Sequence, residues 1–331
     1  MNKIIDYGIL LMRLSLTLIA QCATIFYSSA QSNNNDFFNE NSLQSDMPMF
    51  ETYSENLSSK ICNQLLEDSD GFIWVASRNG VMRFDGITFA SFLNTEVSSN
   101  VFENDICSIT EDTINNCIWN AYQTKDILVR INKEDYSSDT LFLQLHYKSN
   151  LAIRALHSYN DSTLIGVSTY GIFLINIKNG EMQGPIQLDK SVGINYAYFS
   201  KHPRSGNTYL ITCNNVYQII NNGSVPTFKH INILPNKKIR HMSWCNDTTC
   251  ILQTYENSTN TSYIYKITNL NYDNSKPIFS TQRNIKDVTS MDDGIWLSTN
   301  RGLIFYSFRN GDAKEFNLRN STLKTKQLTQ I

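Results

Sequence analysis

The chain has 331 residues, 41% of them hydrophobic and 18% charged, with a formal net charge of -2. That balance supplies enough apolar surface for a core, which excludes a chain that stays disordered for want of one. The near-zero charge offers no electrostatic case for nucleic acid or an anionic membrane surface as a partner.

Residues 1–30 read as a signal peptide. Lys3 and Arg13 give a positive flank, Leu14 to Phe26 is mostly apolar, and Ser28-Ser29-Ala30 offers a small-residue cleavage site. This predicts export to the periplasm. An uncleaved anchor is the alternative, since nothing later approaches the ~20 apolar residues of a membrane span. Residues 31–48 read as disordered and residues 49–331 as the fold. Six cysteines follow the leader: Cys62, Cys107, Cys117, Cys213, Cys245 and Cys250. None has zinc or redox spacing. Cys245 and Cys250 flank a turn and could pair across a hairpin; isolated buried thiols are the other reading.

From Lys60 onward four short strands follow one another: Ile61 to Leu65, Phe72 to Ala76, Val81 to Phe84 and Thr88 to Phe92. Asp68 to Gly71, Ser77 to Gly80 and Asp85-Gly86 form the turns between them. The plan recurs, with Cys107 falling 45 residues after Cys62 and Trp119 falling 45 after Trp74. Six copies cover approximately 60–100, 101–150, 151–188, 189–236, 237–281 and 282–320. Four antiparallel strands per repeat predict an all-β propeller with six visible blades. An open solenoid or a two-sheet sandwich is the alternative, but a sandwich does not require such a repeat. Phe50 to Tyr53 reads as a fourth strand without its preceding three, and 326–331 as the opening of a seventh blade. Either the ring is an incomplete seven-bladed one, or six blades close with slack ends.

Asp68-Ser-Asp-Gly-Phe-Ile-Trp74, Gly80-Val-Met-Arg-Phe-Asp-Gly86 and Asp293-Gly-Ile-Trp-Leu-Ser-Thr-Asn-Arg-Gly-Leu303 resemble the two-component regulator propeller repeat. The positions that carry the resemblance are Asp68, Gly71, Trp74, Gly80, Trp119, Gly294, Trp296 and Gly302. Val75-Ala76-Ser77 and Leu297-Ser298-Thr299 depart from the repeat's usual Ile-Gly-Thr, and Asn115-Asn116-Cys117 replaces its turn glycine. The resemblance implies the periplasmic sensor of a hybrid two-component histidine kinase, here a partial member, of the kind that detects glycan breakdown products. This sequence contains no kinase, receiver or helix-turn-helix segment.

No catalytic constellation emerges. Asp68-Ser-Asp-Gly71 begins like a calcium loop but lacks its later carboxylates, so it reads as a turn held by aspartate side chains. The five histidines show no zinc spacing, no nucleotide or cofactor motif is present, and no acid/base pair suits a glycosidase. The expectation is therefore no metal, no cofactor and no enzyme. If a ligand binds, the face that gathers the second-to-third strand turns would take it. Arg78, Asn79, Lys125, Tyr170, Asn214 and Arg301 lie there, and such side chains suit sugars by forked hydrogen bonds and ring stacking. Plain solvated turn residues are the other reading. Three functions stay open: an oligosaccharide sensor, a propeller glycoside hydrolase or lyase, and a structural propeller that forms homodimers or contacts other sensor domains.

Overall fold

The computed structural model describes residues 61–92, 104–144, 151–186, 196–213, 215–223, 225–235, 237–271 and 276–322, with short pieces at 23–25, 50–52, 57–59 and 188. The readings made for 31–48, Asn214 and 326–331 lie outside the described residues, as does the leader apart from Ala23–Ile25.

Six four-stranded antiparallel sheets follow one another as blades of a propeller, and in each the strands hydrogen-bond in chain order. Blade one runs from Cys62–Glu67 to Phe89–Phe92, blade two from Ile106–Asp112 to Ser138–Phe142, and blade three from Ala155–Ser158 to Met182–Ile186. Blade four runs from Ala197–Lys201 to Thr227–Ile231, blade five from Ile239–Trp244 to Phe279–Thr281, and blade six from Ile285–Ser290 to Ala313–Phe316. The middle strands are buried on both faces. Every residue of Ile73–Ser77, Cys117–Tyr122 and Thr208–Thr212 is buried, whereas the fourth strands Phe89–Phe92 and Ser138–Phe142 are largely open. A middle strand meets a neighbouring blade on each side, so its apolar residues run without the alternation of a half-solvated strand.

The core lies between blades. Trp74 and Val81 of blade one pack with Ile109 and Ile118 of blade two. Trp119 and Leu128 meet Leu156 and Leu164 of blade three, and Val167 and Ile172 meet Leu210 and Tyr217 of blade four. Ile211 and Val216 meet Met242 and Leu252 of blade five, and Ile251 and Ile264 meet Ile295 and Leu297 of blade six. On its other side blade one has a cluster of its own, Ile73, Val75, Met82 and Phe84, against which Leu57 packs. Among the described residues no apolar cluster joins blade six to blade one. Phe50–Thr52, the strand expected to lack three partners, pairs with Ala23–Ile25 in a two-stranded sheet of its own.

First strands of neighbouring blades lie side by side and would carry unpaired backbone donors. Side chains meet that need in a repeated way. The Ile109 N–H donates to Gln64 Oε1 (2.9 Å) and the Leu156 N–H to Ser108 Oγ (3.1 Å). The Met242 N–H donates to the Tyr198 hydroxyl, and the Ser290 N–H to Ser243 Oγ (3.1 Å). Each is one blade's first strand accepting from the next.

The repeated Asp and Trp also form one device. Asp68 Oδ1 accepts from the Asp70 and Phe72 N–H groups (3.0 and 2.9 Å), while Oδ2 accepts from Trp74 Nε1 (2.7 Å). In blade two Asp112 holds Asn115 N–H (3.0 Å) and reaches Trp119 Nε1 at 3.4 Å. Gly71 has φ +84° and Asn116 has φ +48°. Asparagine thus takes over the left-handed position that the repeat normally assigns to glycine. In blade six Met291 follows the first strand where Asp68 does in blade one, and Trp296 Nε1 is buried with no partner among the described residues.

A buried ion cluster joins blades one and two at the end of the ring that carries these turns. Lys133 Nζ lies 2.7 Å from Asp70 Oδ2, 2.7 Å from Glu111 Oε1 and 3.6 Å from Asp68 Oδ2, and its side chain is 5% exposed. Burial disfavours the ammonium, but hydrogen bonds to Asp70 and Glu111 outweigh it and hold the lysine above its ordinary range. None of the six cysteines of the blades is in a disulfide, so Cys245 and Cys250 form no bridge. Burial, first of all, pushes the Cys107, Cys117 and Cys250 thiols up to about 12, which leaves them protonated and inert.

Candidate functional site

Antiparallel order puts the second-to-third strand turns and the inter-blade links on one face. Contacts between them confirm it. The Arg78 N–H donates to Ile61 O (3.1 Å), the Gly80 N–H to Asn104 O (2.9 Å) and the Gln123 N–H to Asp105 O (2.9 Å). On this rim Arg78 is half exposed, with Nε 3.9 Å from Asp105 Oδ2. Asn79 is tied down instead, its Nδ2 donating to Ser58 O (3.1 Å). Lys125 is partly buried. Tyr170 is 56% exposed and Arg301 is open. The rim therefore offers a tyrosine ring and two guanidinium forks on blades one, three and six.

Beneath the rim, at the first strands of blades four, five and six, lies a buried polar group that sequence reading missed. The Tyr196 hydroxyl is 3.3 Å from His241 Nε2, and His241 Nδ1 is 3.4 Å from Asp287 Oδ1. His241 and Asp287 each sit just past a bulge, paired with Gln253 and Ser298. Burial pushes His241 down to about 3, helped by Arg240, and pushes Asp287 up to about 7. Tyr196 is raised, again chiefly by burial. Below about pH 7, and above about 3, these shifts put one proton on the pair, held by the carboxyl.

The two shifts act on stability with opposite signs. Asp287 contributes fully below its usual 3.8 and loses that contribution as pH rises toward about 7. His241, kept neutral, costs stability as pH falls from its usual 6.5 toward about 3. Between these limits the folded and unfolded pairs each carry one proton, so their slopes cancel. Asp287→Asn is expected to uncover the histidine. The variant should match or exceed the parent at pH 8, then lose about 1.4 kcal/mol per pH unit below ~6.5 relative to it. Urea unfolding from pH 8 to 5 checks this, and parallel profiles would contradict it.

On the opposite face, blades four and five enclose an open depression between them. A shallow cleft of about 580 Å³ is lined by His202, Arg204, Asn207, Tyr209, Trp244 and Asp247, among others. A second, of about 490 Å³, adjoins it and shares Trp244, Asp247 and Thr248. Trp244 ends the first strand of blade five, whereas Trp74, Trp119 and Trp296 occupy second strands. Its place outside the repeat is the sequence signal that could have drawn attention to it. Among the described residues no group of three or more His, Cys, Asp or Glu is placed to hold a metal ion.

A family model, described as the N-terminal β-propeller domain of PorZ, TSS9, matches residues 208–329, a little over a third of the chain. No curated protein matches. The extracellular domain assigned to the hybrid two-component system BT3049 of B. thetaiotaomicron superposes with TM-score 0.54 at 16% identity, over 82% of this chain and 37% of that one. The extracellular domain assigned to the one-component system BT4673 of the same organism gives TM-score 0.54 at 16% identity, over 81% of this chain and 34% of that one. A streptogramin B lyase gives TM-score 0.51 at 13% identity, over 76% of this chain and 80% of that one. What these structures share with this chain is the propeller fold, which by itself assigns no chemistry. This chain spans little more than a third of the two B. thetaiotaomicron structures.

Proposed function

We propose that this chain is an exported, non-catalytic binding propeller that recognises an oligosaccharide as the sensory part of a two-component signalling protein. The observation that carries the reading is the propeller shared, over most of this chain, with extracellular domains assigned to a hybrid two-component and a one-component system. The repeat resemblance around Trp74 and Trp296 agrees with it, and so does a rim where Arg78, Tyr170 and Arg301 stand open on one face. The purified chain is expected to bind members of an oligosaccharide panel without releasing product. Turnover that disappears on replacing one carboxylate would instead favour a lyase or hydrolase, and self-association without any glycan binding would favour a structural propeller.

A second reading is favoured by the family model that matches 208–329. In it the chain is a propeller working in the TSS9 apparatus, as PorZ does. Deleting the gene separates the two. Loss of ligand-dependent transcription supports the sensor, and loss of protein secretion supports the PorZ-like role.

A further inference from the structure

The cleft around Trp244 lies away from the rim and takes no part in the oligosaccharide site proposed there. His202 Nε2 is bonded to Asp247 O (2.7 Å), and the His202 ring meets the Trp244 ring edge-on at 4.4 Å. The Tyr209 ring lies 5.4 Å from the Trp244 ring, tilted to it. Arg204 Nη1 pairs with Asp247 Oδ2 at 3.0 Å. These residues come from the first-to-second strand turns of blades four and five and from the strand ends beside them, so blade packing assembles the group. Asn207 and Thr248 complete the polar wall.

Three features define what would fit. Trp244 lines both depressions, so a ligand lying across it contacts the indole and both hollows. The indole Nε1 is buried with no acceptor among the described residues, a polar group that the fold itself leaves unsatisfied. Arg204 and Asp247 cancel each other's charge, so the wall offers planar hydrogen-bonding groups with little net field. An aromatic platform with such groups around it suits the C–H face and hydroxyls of a pyranose ring. A shallow open shape suits an extended chain better than a small engulfed molecule.

We propose that the cleft between blades four and five is a second binding site, in which Trp244 stacks against a neutral oligosaccharide held by Arg204, Asp247 and Asn207. The ligand class rests on the reading of the chain as a glycan-binding propeller; the location does not.

Titration of the full chain with cellohexaose, xylohexaose, mannohexaose and maltohexaose tests it, read by tryptophan fluorescence and calorimetry. Trp74 and Trp119 are buried, so a Trp296→Phe background leaves Trp244 as the responsive indole. At least one probe is expected to shift its emission. Trp244→Ala should weaken that binding roughly tenfold or more, the equivalent of ~1.4 kcal/mol. Arg204→Ala, at a side chain 82% exposed and so harmless to folding, should weaken it severalfold. Arg78→Ala and Arg301→Ala, on the opposite face, should leave the Trp244 emission shift unchanged whatever they do to binding at the rim. Binding that survives both cleft variants but falls with the rim variants overturns this site and keeps the oligosaccharide reading. No binding by any probe overturns both.

Discussion

Lys133→Met is expected to destabilise the propeller by about 3–5 kcal/mol, because it strips the cation from carboxylates that are themselves largely buried. The Asp68 side chain is fully buried and that of Glu111 nearly so. Neither can recover its hydration while the blades stay packed. Loss on this scale should lower the melting temperature by roughly 10 °C for a domain of this size. The pH dependence gives a sharper check. Burial alone would raise the Glu111 carboxyl, but bonds from Lys133 and Ser69 hold it below its usual 4.5. A depressed carboxylate contributes stability above its unfolded pKa and loses it as pH falls through the folded value. The gap between parent and variant should be complete above about pH 5 and shrink in acid. A variant that melts within a degree or two of the parent at pH 7 would show the cluster to be solvated in solution.

Trp74→Ala should cost a comparable ~3–5 kcal/mol, since it empties a fully buried site in the core shared by blades one and two. The gentler substitution Trp74→Phe separates packing from hydrogen bonding. It keeps most of the volume but removes the donor to Asp68 Oδ2, for an expected loss of about 1–3 kcal/mol. Trp296→Phe should cost less than ~1 kcal/mol, because Trp296 Nε1 has no partner to lose. Met291→Asp should then restore the device in blade six, with a gain of about 1 kcal/mol. Chemical denaturation of the four variants measures all of this. Equal losses for Trp74→Phe and Trp296→Phe would mean that the Asp68 bond adds nothing.

Much of the architecture is legible in the order of the residues. The 45-residue spacing of Trp74 and Trp119 marks equivalent second-strand positions, but that of Cys62 and Cys107 does not: Cys62 pairs with Ser77 as Ile106 pairs with Tyr122, and Cys107 is the bulge residue that follows, one position out of register. Local turn chemistry is legible too, because Asp68 bonds the backbone two and four residues on. The same pattern places Arg78, Lys125, Tyr170 and Arg301 on one face, since strand parity alone decides which end of a sheet a turn occupies. It has no means to show that Asn79 is held by Ser58 O.

What escapes it depends on distances between blades. Lys133 meets Asp68 across 65 residues, Tyr196 meets His241 across 45, and Arg204 meets Asp247 across 43. Within its own blade each of these looks like an ordinary turn or strand residue. By itself the sequence determined the repeat, the strand order and the turn chemistry, because these are set by side chains within a few residues of one another. The buried ion cluster, the meeting of Tyr196, His241 and Asp287 and the cleft at Trp244 were decided by tertiary structure. Desolvation and mutual orientation arise when two blades close on each other, and no local pattern encodes how closely they will pack.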